Sequence, residues 1–204
     1  MIVIVDYGLG NVGSVANMLR KVTQDQVQIS ANPDEIRKAG KLILPGVGHF
    51  DRGMENLHKR GLLPALQEKV VNERTPILGI CLGMQLMSQK SEEGGAPGLG
   101  WIEANFKRFS FSNGTVQKVP HMGWNWVRFL KLSPLTRTIP ENSRFYFVHS
   151  YHCAGEQRED VLAECDYGYE FTAAFQKENI FGVQFHPEKS HRFGLELLRG
   201  FASL

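Results

Sequence analysis

Two styles of apolar patterning within one chain predict an α/β fold, a three-layer sandwich around a mostly parallel central sheet, with an added antiparallel β region. The first style runs to about residue 90, where short apolar runs alternate with helix-like stretches. MIVIV and LIL are apolar at nearly every position, as expected of parallel strands covered on both faces. The second style begins at Trp101, where aromatic and β-branched runs alternate with turn signals and helical periodicity is absent until the carboxyl end.

Taken in order, MIVIVD, VQIS, KLILP and TPILGI read as strands, with residues 13–21, 53–60 and 63–72 as the helices between them. WIEANFKRFSF, TVQKVP, WNWVRF, SRFYFVHSYH, VLAECDY, FTAAFQKE and IFGVQFH follow as strands, with a turn at Ser112–Asn113–Gly114 and a closing helix over 192–201. A chain of 204 residues with 42% hydrophobic content buries a real core, and the expectation is one domain over 1–204. The net charge of +2 comes from interspersed charges, which gives no nucleic-acid or membrane surface. No signal peptide or membrane-length apolar run is seen. Cys81, Cys153 and Cys165 have no paired spacing and read as reduced thiols of a cytoplasmic protein.

The strongest chemical signal is TPILGICLGMQLM. An apolar strand ends at Ile80, Cys81 follows, and a helix begins, with Gly79 and Gly83 two residues to either side of the cysteine. That is the glycine–x–nucleophile–x–glycine elbow, whose sharp strand-to-helix turn tolerates only small neighbours. A helix N-terminus also favours thiolate over thiol. The ordinary alternative is a buried cysteine acting as a small hydrophobe. A base is available in IFGVQFHPEKS: Phe181, Val183 and Phe185 alternate, so Gln184 and His186 face the other way. Pro187 keeps the segment extended, and Glu188, two residues on, is placed to orient the His186 imidazole. In KLILPGVGHFDRG, the Gly46, Val47 and Gly48 turn can offer backbone N–H groups. With the N–H of Leu82 they would form an oxyanion hole. All three segments follow strands, so they can meet at the carboxyl edge of one sheet.

The opening DYGLGNVGSV poses a competing reading. Gly8, Gly10 and Gly13 match a dinucleotide fingerprint. Asp6 beside the first glycine, and the lack of an acidic residue at the end of the second strand, weigh against a phosphate site.

PGVG, GICLGMQ and HPE, in this order and spacing, resemble the class I (triad-type) glutamine amidotransferases over essentially the whole chain. DYGLGN, PHMGWN and FVHSY narrow the resemblance to glutaminase subunits of imidazole glycerol phosphate synthases. The resemblance implies a flavodoxin-like glutaminase fold that needs neither metal nor cofactor. It implies hydrolysis of L-glutamine to glutamate and ammonia, with the ammonia channelled to a (β/α)8-barrel cyclase partner that makes imidazole glycerol phosphate and an aminoimidazole carboxamide ribotide. By the same resemblance Cys81, His186 and Glu188 form the triad, and Gly48 belongs to the oxyanion turn. Gln85, Glu93, Ser150 and Tyr151 match positions that hold glutamine. The residues 8–14 loop becomes partner surface, with Asn11 and Ser14 in it and Trp124, Asn125 and Lys189 on the same face. For Trp124 a core aromatic is the alternative, and for Lys189 a solvated charge. GLGWIEANF and WNWV depart from the histidine-pathway pattern and lean toward paralogues that supply ammonia for nucleotide-sugar amidation in surface-polysaccharide synthesis.

Overall fold

The computed structural model describes residues 1–111 and 117–204. Five parallel strands form its centre: β1 (Ile2–Val5), β2 (Val27–Ser30), β3 (Lys41–Gly46), β4 (Ile77–Cys81) and β12 (Ile180–Val183), in the order β2-β1-β3-β4-β12. The sheet continues antiparallel through β11 (Glu170–Lys177), β10 (Val161–Asp166), β7 (His121–Phe129) and β8 (Ser143–His149). A small branch, β5 (Lys90–Ser91), β6 (Asn105–Arg108) and β9 (Tyr151–Ala154), joins it through the pairing of β9 with β11.

The alternation in β1 builds the layers. Ile2 and Ile4 face a core closed by α1 (Val12–Leu19) and α6 (His191–Ala202), through Val15, Leu19, Leu197 and Phe201. Val3 and Val5 face a second core under α2 (Pro33–Arg37), α3 (Phe50–Lys59), α4 (Leu63–Gln67) and α5 (Leu82–Leu86), through Ile36, Leu57, Leu66 and Leu86. This is the predicted three-layer α/β sandwich with its antiparallel addition.

Several boundaries differ from the sequence reading. The short helix α2 has no counterpart in the sequence pattern above, although Asn32 caps it and Pro33 opens it, with Asp34 and Glu35 in the first turn. The stretch expected to be helical over 63–72 changes at Glu68 into a π-turn over Glu68–Asn72. Only Asn105–Arg108 of WIEANFKRFSF is strand; Trp101 and Ile102 are buried in the second core, and the Trp101 indole N–H donates to Gln67. The Ser112–Asn113–Gly114 turn lies outside the described residues, as does the start of TVQKVP; residues 117–120 form no strand. SRFYFVHSYH divides at Ser150 into β8 and β9. Among the described residues no helix is long and apolar enough to cross a membrane.

Candidate active site

β3, β4 and β12 are parallel neighbours, so their carboxyl ends lie together. Gly46 pairs with Cys81 across β3 and β4, and the HPE segment follows β12. Cys81 sits at the break between β4 and α5 with φ 53°, a left-handed conformation uncommon for a residue with a side chain. The flanking glycines are required by packing. A Cβ on Gly83 would fall 1.7 Å from the Leu44 carbonyl oxygen, and one on Gly79 2.7 Å from the Met84 nitrogen. The elbow read from the sequence is therefore present as geometry.

His186 and Glu188 are buried together, with His186 Nδ1 2.8 Å from Glu188 Oε1. That bond places the ring's other nitrogen, Nε2, free for chemistry; it is buried and has no hydrogen-bond partner among the described residues. Burial by itself lowers the imidazole pKa, but Cys81 and the Glu188 carboxylate together outweigh it and push it up to about 10. The segment is clamped from β8. His186 N–H donates to the Tyr146 carbonyl, while Ser190 Oγ donates to the His186 carbonyl and accepts from Tyr146 N–H.

Beside Cys81 opens a cleft of about 350 Å³ lined by Val47, Gly48, Leu82, Gln85, Glu93, Ser150 and Tyr151, with Pro120, Val148 and His149 completing it. The four candidate glutamine residues and three of the four candidate oxyanion residues thus surround the candidate nucleophile. The fourth, Gly46, lies beneath the cleft as the last residue of β3. Glu93 accepts the Phe50 N–H at the start of α3 (2.8 Å), and burial raises its carboxyl pKa. Asp51 holds the loop behind it by accepting from Gly95 and Ala96 N–H.

Gln184, given no role from the sequence, is fully buried within this site. Its Nε2 donates to Cys81 Sγ (3.6 Å) and its Oε1 accepts from Gln85 Nε2 (3.2 Å). The alternation that turned His186 away from the core placed Gln184 on the same side, which was the available signal. His149 and His121 likewise carry no chemical signature in the sequence. Asn125 faces His121 Nε2, His121 Nδ1 meets His149 Nε2 at 3.1 Å, and His149 Nδ1 donates to the Tyr151 carbonyl at 2.7 Å. The chain ends on a strand that lines the cleft. Burial keeps both imidazoles neutral, lowering His121 to about 4 and His149 to about 3.

The expected partner face is divided. Trp124 stands 40% exposed on the outer side of β7, its ring stacked on His191 with the Arg144 guanidinium above it. Asn125 faces the opposite way, donating to the Asp166 carbonyl (2.7 Å), because successive residues of a strand alternate faces. The two therefore do not share a face as the sequence reading placed them. Lys189 is exposed, with its ammonium 5.5 Å from the Tyr146 ring centre. Asn11 is exposed and caps α1 by accepting from Ser14 N–H, so Ser14 supplies a capped N–H to the loop. In the same loop Asp6 accepts the Gly8 N–H (2.9 Å), taking a donor that a phosphate would need. Gly13 lies inside α1 with open space where a Cβ would stand, so no close approach requires a glycine there.

Residues 3–202 match the family model for glutamine amidotransferase class I. Among the similar relatives is the imidazole glycerol phosphate synthase subunit HisH 2 of Methanococcus maripaludis, 54% identical over 98% of each chain. The subunit of the same name from Pseudomonas aeruginosa is 50% identical over the full length of both. The fold is similar to that of the glutaminase domain of Trypanosoma brucei CTPS with bound acivicin, at a TM-score of 0.63 and 18% identity over 99% of this chain and 93% of that one. It is also similar to the crystal structure of a glutamine amidotransferase, at a TM-score of 0.70 and 18% identity over 97% and 98%. With the elbow cysteine, the histidine–glutamate pair and the cleft between them, these matches show that the chain belongs to the class I glutamine amidotransferases.

Proposed function

We propose that this chain is the glutaminase subunit of an imidazole glycerol phosphate synthase, a single amidotransferase domain that makes ammonia for histidine biosynthesis. The observation that carries the chemistry is the meeting of Cys81 Sγ, the Glu188-oriented His186 and the Gln85–Glu93–Ser150–Tyr151 cleft at one sheet edge. The pathway rests on the full-length identity to relatives bearing that name.

The glutamine main-chain ammonium lies toward Glu93, whose half-buried carboxylate has no ion-pair partner among the described residues, and the side-chain amide reaches Cys81. Cys81 gives its thiol proton to His186 Nε2 as Sγ attacks the amide carbon, and the oxygen that gains the charge is held by N–H groups of Leu82 and the Val47–Gly48 turn. His186, protonated at Nε2, gives that proton to the leaving nitrogen, and ammonia departs as the C–N bond breaks. The thioester is then cleaved by water, from which His186 takes a proton; His186 returns that proton to Sγ, and glutamate leaves with the free thiol restored. Ammonia passes to the acceptor on a (β/α)8-barrel partner subunit. Asn11, Ser14, Trp124 and Lys189 provide the docking surface, and Asn125 supports it from beneath through β7. A cytoplasmic setting suits three free thiols.

The test is Cys81→Ala. It abolishes glutamine-dependent synthesis by the complex while leaving synthesis from high ammonium intact. Residual glutaminase at the wild-type rate removes Cys81 from the mechanism.

The nucleotide-sugar alternative read from the sequence finds no support among these relatives, which bear the imidazole glycerol phosphate synthase name. Of the stretches that suggested it, GLGWIEANF holds Trp101, buried in the core, and WNWV holds Trp126, 60% exposed on the outer side of β7, and neither position distinguishes one acceptor from the other. Isolating the complex from its own cells and assaying it with each acceptor separates the two.

A further inference from the structure

One buried polar group has no task in the chemistry above. Tyr7 follows β1, is fully buried in the second core, and its hydroxyl has no hydrogen-bond partner among the described residues. A phenylalanine would fill the same space without stranding a hydroxyl, and an unpaired buried polar group costs stability. The hydroxyl lies against the end of β3. A Cβ on Gly46 would come 2.2 Å from Tyr7 Oη and 2.8 Å from Leu82 Cβ. Gly46 is therefore glycine because the hydroxyl and the elbow close on it from both sides, and not for freedom of rotation. Rotation belongs to the next two residues: Val47 is 41% exposed, and Gly48 has φ +116° with open space where a Cβ would stand, Leu9 Cδ2 coming no nearer than 4.0 Å. The hydroxyl is also near Cys81, whose charge, after burial, is the second cause raising the tyrosine's pKa.

We propose that Tyr7 is a positioning residue for the oxyanion turn: its hydroxyl donates to a main-chain carbonyl of the Gly46–Gly48 turn when that turn rotates to present N–H groups to the reacting amide. Turning an N–H toward the cleft moves the carbonyl of the same peptide the other way, because the peptide is planar. A donor waiting beneath the turn then holds the rotated form. Tyr7 touches neither substrate nor sulfur in this role; it acts through the turn. The role rests on the glutaminase reading given above.

The experiment is Tyr7→Phe, which removes one oxygen. In the complex with the barrel partner, kcat for glutamate release falls at least tenfold while KM for glutamine is unchanged, since Gln85, Glu93, Ser150 and Tyr151 are untouched. The thermal midpoint of the isolated chain stays level or rises, because the stranded hydroxyl is gone. The pH profile of Cys81 alkylation by iodoacetamide does not move; all three thiols are buried, and burial raises the pKa of Cys153 and Cys165, so at neutral pH the reagent reports Cys81. A wild-type kcat overturns the proposal. So does a fall in the thermal midpoint, which would give the hydroxyl a partner in the resting fold. A displaced alkylation profile also overturns it, assigning the hydroxyl to the sulfur. The wild-type complex measured alongside separates the two levels. If it releases no glutamate, the glutaminase reading fails and takes this role with it; if it does, the outcome bears on Tyr7 alone.

Discussion

His186 is held by neighbours that oppose its own burial, and this sets what each substitution around it does. Removal of the buried carboxylate in Glu188→Gln leaves Cys81 alone against desolvation, so the imidazole titrates below its value of about 10, a shift read from the ring resonances by NMR. The rate follows the same logic. His186→Asn removes the proton carrier and lowers kcat by about 100- to 10,000-fold. Glu188→Gln removes only the group that orients it and costs less. A folded glutamate variant slower than the histidine variant would reverse these roles. Gln184 belongs at the same scale. Gln184→Met keeps the length but deletes both the donor to Cys81 Sγ and the acceptor for Gln85, so KM for glutamine rises and alkylation of Cys81 slows. The triad candidates were legible in the sequence because each sits in a short motif whose spacing has one geometric meaning, an elbow or an i, i+2 pair on an extended segment. Gln184 was not, since a glutamine beside a histidine carries no chemical signature until the sheet brings β4 and β12 side by side.

The β7–β8 hairpin shows the same division between local pattern and long-range pairing. Its strands were legible from aromatic alternation, but the Asn125–His121–His149–Tyr151 chain depends on His121 standing opposite His149 in register. That register follows no signal within either strand. The helix α2 was missed for another reason: at five residues it is too short for periodicity, and only its cap and first-turn acids announce it. The hairpin has a thermodynamic consequence. In the unfolded chain both histidines take up protons near pH 6.5, whereas in the fold they stay neutral down to about 4 and 3. Between those limits the unfolded state binds more protons, so stability falls as pH falls, by about 1.4 kcal/mol per pH unit for each histidine. Urea titrations at stepped pH between 6.5 and 4.5 measure the slope. His121→Gln reduces it; an unchanged slope would place the acid sensitivity elsewhere.

At the scale of the whole molecule, the open question for a chain that releases ammonia is when it does so. Turnover without a partner would lose ammonia to water, and the arrangement of the fold gives a means of preventing that. The proposed triad is set by packing: Cys81 by its two glycines, and His186 by Glu188, Ser190 and the Tyr146 main chain. The Val47–Gly48 turn is different, because it leaves the end of β3 at the surface with a glycine at positive φ. An oxyanion donor is the one catalytic part that can be withheld without disturbing the rest, and one missing donor costs about 100- to 1,000-fold in rate. The isolated chain is therefore expected to bind glutamine and hydrolyse it slowly, and the barrel partner with its acceptor ligand to raise kcat by about that factor. Surface variants test whether docking is the cause. Lys189→Glu reverses an exposed charge next to the HPE segment. Asn11→Asp keeps the carbonyl-type oxygen that caps α1 and changes only the outward amide. Both should lower the activation factor while Cys81 alkylation in the free chain stays at the wild-type rate. Steady-state glutamate release with and without partner and ligand is the measurement. Full turnover by the isolated chain would mean that the turn already presents its donors, and the partner would then only receive ammonia and play no part in triggering its release.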